Sequence, residues 1–443
     1  MNNNYTIFVE QWNDMLSKIC DIGGDVLPLS IDRPATVEEI HAVECKLGFS
    51  LPEDFKDVVL HFSKAVYFRW SFPDEVNVPD EWSEVFSGEL GWNIEWLEDA
   101  TPSAIEMEEE GYGQGLKNKL QFFYVGNGDM VAFDMSSEGN NKNIVYWSHE
   151  EDEVVLVADS FLSFIEKLTE LYCVGAEIWQ YETFMDANGL NPAMESSSRW
   201  KSWFKLLTEV KREDVAHDLE CVIEYVLNHG SVEKEMFELY SRKEIFEKAK
   251  GHLQQEDRQR KRTACKIIGE VVGECASDWV LELWKDNYLV DEELRSYLTA
   301  CCVAEDKGLA LVYSYLESQT NAHAARHLCH FQSNKVISWM EEHVRFPVTD
   351  GWDELFAVSK PTWDDIVRWI HLEDRHRTTI IHALERMVET NPYFPYGEEQ
   401  KKIVHAPSKN EVVQLLYKLK EMQVLNNKKR ILDEVIEQID VLL

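Results

Sequence analysis

The twelve residues ECKLGFSLPEDF, Glu44 to Phe55, constrain the fold of this chain more tightly than any other stretch. Upstream, Thr36 and Glu39 form a T-x-x-E capping box, so the spacing predicts a helix starting at residue 37. Ile40, Val43 and Leu47 then give that helix one apolar face. Gly48 supplies the left-handed stop expected just past a helix C-terminus. Ser50 and Glu53 repeat the capping-box spacing, Pro52 fits a first turn, and Glu53 with Asp54 complement a helix dipole. Phe55, Val58, Val59 and Phe62 continue the apolar face into a second helix. The result is a helix–turn–helix corner with no catalytic group in it. Glu44 shares a face with Ile40 and Leu47, so its carboxylate is expected to reach the exposed N–H groups of the next helix.

A second block lies downstream, where FFYVGNGDMVAFDM is followed by NIVYWSHEEDEVVLVADSFLSFIEKL, from Phe122 to Leu168. The two blocks in this order resemble the SUKH superfamily, which includes bacterial toxin-immunity proteins and the Smi/Knr cell-wall regulators. Glu44, Leu47, Gly48, Leu51, Pro52, Asp54 and Phe55 carry the first half of the resemblance. The similarity covers about residues 30 to 172 and implies a non-enzymatic protein that binds and neutralises a toxin. One departure stands out: many relatives follow the second helix with an aromatic-Asn-Gly-Gly turn, where this chain has His61-Phe62-Ser63-Lys64.

At 443 residues the chain has room for about two or three domains, each with its own core. Its nine cysteines are scattered and odd in number, which argues against a disulfide framework and for a reducing, cytoplasmic setting. The opening residues are amphipathic and do not read as a signal peptide. No run approaches the roughly 18 apolar residues that a membrane span needs. Charge is distributed unevenly. Residues 1–190 hold 10 Lys and Arg against 37 Asp and Glu, whereas the rest hold 34 against 44. From Trp70 to Leu116, thirteen carboxylates occur without a Lys or Arg, alongside Trp70, Trp82, Trp92 and Trp96.

From residue 122 to 157 short β-rich runs alternate with the tight turns GNGD, SSEGNNKN and SHEEDE. Connections this short require an antiparallel meander. Asp159 or Ser160 would then cap a helix whose Phe161, Phe164, Ile165 and Leu168 face inward. The expected fold is therefore an α+β N-terminal domain, with helices packed on an antiparallel sheet, over residues 1–187. The cluster NGLNPAMESSS, residues 188–198, reads as a linker. Residues 199–443 read as an all-helical domain of many short amphipathic helices, in the manner of a HEAT-like solenoid or an irregular bundle.

The acidic, Trp-rich segment admits two readings: a solvated surface whose tryptophans serve the core, or a recognition surface for a basic protein. Tryptophan is enriched at interface hot spots, and a one-sign patch raises association rates by roughly 10 to 1000-fold. The second reading gives partner-binding candidates Trp82, Glu84, Trp92, Glu95, Trp96, Glu98, Asp99, Glu108, Glu109 and Glu110. Other clusters have plainer readings. His323, His327 and His330 could share a helix face, but they lack the Glu of H-E-x-x-H, so inter-helix packing is expected and no metal site. Arg258, Arg260, Lys261 and Arg262 form a basic block that nearby acids such as Glu256 and Asp257 would neutralise, and overall acidity disfavours nucleic acid. Cys301 and Cys302 read as buried packing, while Asp129 and Asp134 read as turn and strand-end residues. No phosphate loop, nucleophile elbow, dinucleotide fingerprint or kinase motif is present, and no cofactor is implied. The expected function is that of an immunity protein whose acidic face occludes a basic, nuclease-type toxin. The alternative is a regulatory scaffold that binds cellular partners through its helical region.

Overall fold

The computed structural model describes residues 3–108, 111–285, 289–318, 323–388 and 402–443. The chain divides into two compact units, one comprising Met1–Met236 with Glu256–Thr263 and the other Phe237–Gln255 with Ala264–Leu443.

The first unit opens with helix α1 (Asn3–Asp21), strand β1 (Asp25–Ile31), α2 (Val37–Leu47), α3 (Glu53–His61), β2 (Ala65–Ser71) and β3 (Ser87–Asn93). A single turn of 3₁₀ helix at Ile94–Trp96 leads to β4 (Glu98–Asp99) and α4 (Thr101–Glu108). The meander follows as β5 (Lys119–Tyr124), β6 (Met130–Asp134), β7 (Asn143–Ser148) and β8 (Glu153–Ala158), then α5 (Phe161–Glu170). The unit continues through α6 (Ile178–Glu182), β9 (Met185–Asp186), β10 (Gly189–Leu190), α7 (Glu195–Glu209), α8 (Arg212–Val215) and α9 (Leu219–His229). Two antiparallel sheets result, in the orders β1-β2-β3 and β4-β5-β6-β7-β8, with β9 and β10 a short separate hairpin. Alternation along β6 and β7 sends Val131, Phe133, Ile144 and Tyr146 to the main core. Met130, Ala132, Val145 and Trp147 go to a smaller core with Ala100 and Ala104, beside and within α4.

The Glu44–Phe55 corner is built from contacts that its spacing only partly announces. Thr36 and Glu39 form the expected capping box on α2. Gly48 ends that helix at φ 82°, with its N–H on the Glu44 carbonyl. Ser50 and Glu53 do not form the second box; the residue ahead of α3 is Pro52, which has no side-chain acceptor. Its first N–H groups are met instead from the β6–β7 turn, by the Asn140 carbonyl (3.2 Å) and the Asn141 side-chain oxygen (3.2 Å). Glu44 is half-buried and accepts the Leu51 N–H at 2.9 Å, just ahead of α3. Asp54 reaches furthest: its Oδ2 accepts the N–H groups of Phe161 (2.6 Å) and Leu162 (3.3 Å) at the start of α5, which Ser160 also caps. Burial pushes the Asp54 carboxyl above the ordinary carboxylate range, although those same N–H groups pull it down. In place of the aromatic-Asn-Gly-Gly turn, Ser63 is buried, and its hydroxyl is shared between the Asp32 and Ala65 carbonyls at 2.8 and 2.6 Å.

The expected linker at residues 188–198 is part of the first unit. Ser196 and Ser197 donate to the Thr183 and Asn191 carbonyls, both at 2.8 Å. Beyond them Trp200, Phe204 and Leu207 of α7 are buried in the same core as Trp12, Trp70 and Trp92. A polar, Gly-containing stretch here is a hairpin turn followed by a helix start, two structures that use the same residue types as a linker.

The second unit contains α10 (Arg242–His252), α11 (Arg258–Ile267, in part), α12 (Ser277–Leu283), α13 (Glu292–Cys302), α14 (Glu305–Ser318), α15 (Ala324–Leu328) and α16 (Lys335–His343). It ends with α17 (Trp352–Val358), α18 (Trp363–Ile370), α19 (Asp374–Val388), α20 (Lys409–Glu421) and α21 (Asn426–Glu437). Neighbours pack in pairs, as α12 with α13 and α20 with α21. Alternate helices also stack in sequence, α13 on α15, α15 on α17, α17 on α19 and α19 on α21. The region is all-helical among the described residues, as expected, with helices packed on near neighbours in sequence.

Replacing Asp54 with Ala should leave the Phe161 and Leu162 N–H groups without their acceptor, with the Ser160 cap intact, and lower stability by about 1–2 kcal/mol, measured by urea unfolding. Asp54→Asn keeps an acceptor oxygen and sheds the buried charge, so its loss should be clearly smaller.

Candidate functional site

The acidic segment 70–116 does not present its four tryptophans together. Trp92 is 0 % exposed and packs on Phe62, Trp12 and Phe161, with its indole N–H on the Ser63 carbonyl at 3.1 Å. Trp82 is 3 % exposed and lies against Trp200 and Trp203. Trp70 is buried as well, donating to the Tyr172 carbonyl at 3.0 Å. Trp82 and Trp92 are therefore core residues and cannot act as surface anchors. For Trp92 strand alternation is the reason: Leu90 and Trp92 of β3 point into the core, while Glu89 is only partly buried and hydrogen-bonds Tyr67 across the ladder. Trp82 instead closes a single 3₁₀ turn, Asp80–Trp82, against α7.

Trp96 is the exception, 55 % exposed on the 3₁₀ turn after β3. It lines an open groove of about 780 Å³ with Glu95, Glu98, Asp99 and, from β5, Tyr124. Tyr124 is 64 % exposed. Leu47, Leu97, Pro102, Gln121 and Phe122 complete much of the wall, and Lys46 is the one cation among the lining residues. Local folding places each group. Asn93 caps the 3₁₀ turn by accepting the Glu95 N–H at 2.9 Å, which fixes where Trp96 emerges. Asp99 accepts the Thr101 N–H at 2.9 Å where α4 begins. A bulge between Gln121 and Phe123 sets the register of β5. It leaves Phe122 and Phe123 both buried and turns Tyr124 outward.

Four predicted site residues thus meet in one place: Glu95, Trp96, Glu98 and Asp99. Glu84 is exposed on the turn before β3 but is not among the groove's lining residues. Glu108 ends α4 with its side chain outside the described residues, as are Glu109 and Glu110 entirely. Reading the sequence missed Tyr124, because period-2 alternation without the bulge puts it on the other face.

Asp129 carries more than turn chemistry. Its carboxylate is buried and accepts the His149 N–H (2.8 Å), the His149 Nδ1–H (2.6 Å), the Asn127 amide (2.7 Å) and the Tyr146 hydroxyl. Burial alone would raise its pKa, but these donors together hold it below the ordinary carboxylate range. His149 is partly exposed, and its bond to Asp129 lifts its pKa above the ordinary 6.5. Among the histidines of the second unit, His327 is buried against Tyr315 with Nδ1 2.9 Å from the Ser296 hydroxyl, and His330 lies edge-on to Tyr297. Both make inter-helix contacts. Arg260 pairs with Glu224 at 2.6 Å, an acid remote from it in sequence.

Two measurements follow from this geometry. Trp92→Ala should destabilise the first unit by about 3–5 kcal/mol in chemical unfolding, as for large-to-small core changes, whereas Trp96→Ala should leave the midpoint almost unchanged. A histidine with a raised native pKa stabilises fully below its unfolded pKa of about 6.5, and that contribution is lost as pH rises through the higher native value. Urea midpoints from pH 5 to 9 should therefore show wild type losing its advantage over His149→Gln as pH increases through that window.

No helix among the described residues is long and apolar enough to cross a membrane. Neither the curated proteins nor the solved structures give a significant match to this chain. The matched segment does, however, span the groove's lining and nearly all of both sequence blocks: residues 34–167 match the model of the SMI1 / KNR4 family (SUKH-1), and the remainder is unassigned.

Proposed function

We propose that this protein is an immunity protein that binds a toxin and blocks it through the acidic groove of its first unit. The observation that carries the reading is the convergence of Trp96, Tyr124, Glu95, Glu98 and Asp99 on one open surface within the family-matched segment. Exposed aromatic side chains supply desolvated anchors, and surrounding carboxylates steer a basic partner and set its register. The partner favoured by this charge is a basic toxin, of the nuclease type, whose own substrate-binding surface is cationic. A toxin held in this way is occluded without any chemical step, so no catalytic residue or cofactor is assigned.

A regulatory scaffold is the second reading, and one observation favours it. The α20–α21 turn of the second unit leaves Val424 90 % exposed, beside the exposed Met422 and Leu425, with Tyr417 a turn earlier. Exposed apolar residues concentrated in one turn suit a protein contact.

Affinity capture with the full chain separates the two. Changing Glu95, Glu98 and Asp99 together to Lys should slow association with the captured toxin by about 10 to 1000-fold at low salt and flatten its salt dependence. Unchanged rates would place the binding site elsewhere. Loss of capture through Val424→Asp with Leu425→Asp, and not through the groove, would favour the scaffold.

A further inference from the structure

We propose that the groove reads arginine side chains presented on a polypeptide segment of the partner, with the guanidinium seated between the Trp96 and Tyr124 rings and the carboxylates of Glu95, Glu98 and Asp99. The proposal rests on the reading of the groove as the partner-binding surface and names what that surface recognises. Two features of the site, taken together, select this chemistry.

The first is charge. Glu98 and Glu95 are exposed and Asp99 is half-buried, against Lys46 as the cation in the lining. Glu95 has Lys64 at 3.5 Å, a long and solvent-screened pairing that leaves its second oxygen available. Any occupant that desolvates these carboxylates must supply positive hydrogen-bond donors, because burying them unpaired costs more than apolar contact returns. A purely apolar anchor is therefore a poor occupant.

The second is the aromatic pair. Trp96 and Tyr124 keep more than half of their area in solvent, and both line the same cavity. A guanidinium is planar, stacks on aromatic faces and presents a rigid fork of donors that fits a carboxylate in two parallel bonds. An ammonium is a compact, strongly hydrated point charge and gains less from both neighbours. The groove volume of about 780 Å³ exceeds what one side chain fills, so the arginine arrives with its flanking residues.

The test uses the full chain labelled with 5-fluorotryptophan, the Trp96 resonance being assigned by its absence from Trp96→Phe. Tetra-arginine, tetra-lysine and free L-arginine are titrated at matched ionic strength. Tetra-arginine should shift the Trp96 resonance and bind about tenfold more tightly than tetra-lysine, the scale of a partly desolvated cation–π contact. Trp96→Ala should lower the affinity for tetra-arginine by about tenfold and leave tetra-lysine within about twofold, because the planar guanidinium stacks on the ring where the strongly hydrated ammonium gains little from it. Non-specific attraction to an acidic chain would act on both peptides alike. Equal affinities, an unaffected Trp96→Ala, or free L-arginine binding as tightly as the peptide would each overturn the proposal. If the arginine preference fails while the triple charge reversal still abolishes toxin capture, only the preference falls; if the reversal also has no effect, the groove itself is not the binding surface.

Discussion

Asp54 sits in the first turn of α3 and accepts hydrogen bonds from the first turn of α5, 107 residues later. The β6–β7 turn closes the same junction from the other side, through Asn140 and Asn141 at the start of α3. A helix start leaves several N–H groups without intrahelical partners, and burying such an end without acceptors is costly. Two helix starts are placed together here, each supplied by residues remote in sequence. The arrangement fixes the corner against the meander, and with it the position of Leu47 on the groove wall. The two sequence blocks within the family-matched segment are thus mechanically one object.

Much of this was legible in the sequence where the determining interactions are local. The capping box of Thr36 and Glu39, the stop at Gly48 and the strands joined by GNGD, SSEGNNKN and SHEEDE each depend on residues within one turn of each other. The sheet β1-β2-β3 was not legible. Its strands pair across long separations, as in Val26 with Trp70, with helices α2 and α3 intervening between β1 and β2, so no tight turn announces the pairing. Trp82 and Trp92 looked like surface residues because they lie in a carboxylate-rich segment, yet Trp92 sits on the inner face of a pleated strand and Trp82 on a 3₁₀ turn packed against Trp200 and Trp203. Past β3, the 3₁₀ turn at Ile94–Trp96 breaks the strand alternation and releases the Trp96 indole to solvent.

The groove was half legible for the same reason. Glu95, Trp96, Glu98 and Asp99 are close in sequence and arrive together. Tyr124 joins them through β4–β5 pairing and a bulge, which no composition or period reveals. The apparent linker misled differently, since the serines that suggested flexibility are tied to backbone carbonyls and lead directly into buried aromatics.

Gly230 adds a wider consequence. It ends α9 at φ 72°, and a methyl group placed there would lie 1.6 Å from the carbonyl oxygen of Glu75. Nearby, Asn77 donates from its backbone to Asn228 and from its amide to Leu227. The acidic segment is thereby clasped by residues well past the end of the matched family segment, just as Trp70 is covered by Phe204. A fragment trimmed to residues 34–167 would therefore be a module stripped of its lids. Trp12, Trp200 and Phe204 would be missing, Trp70 and Phe72 would face water, and the piece that looks most like an independent domain would be prone to aggregate.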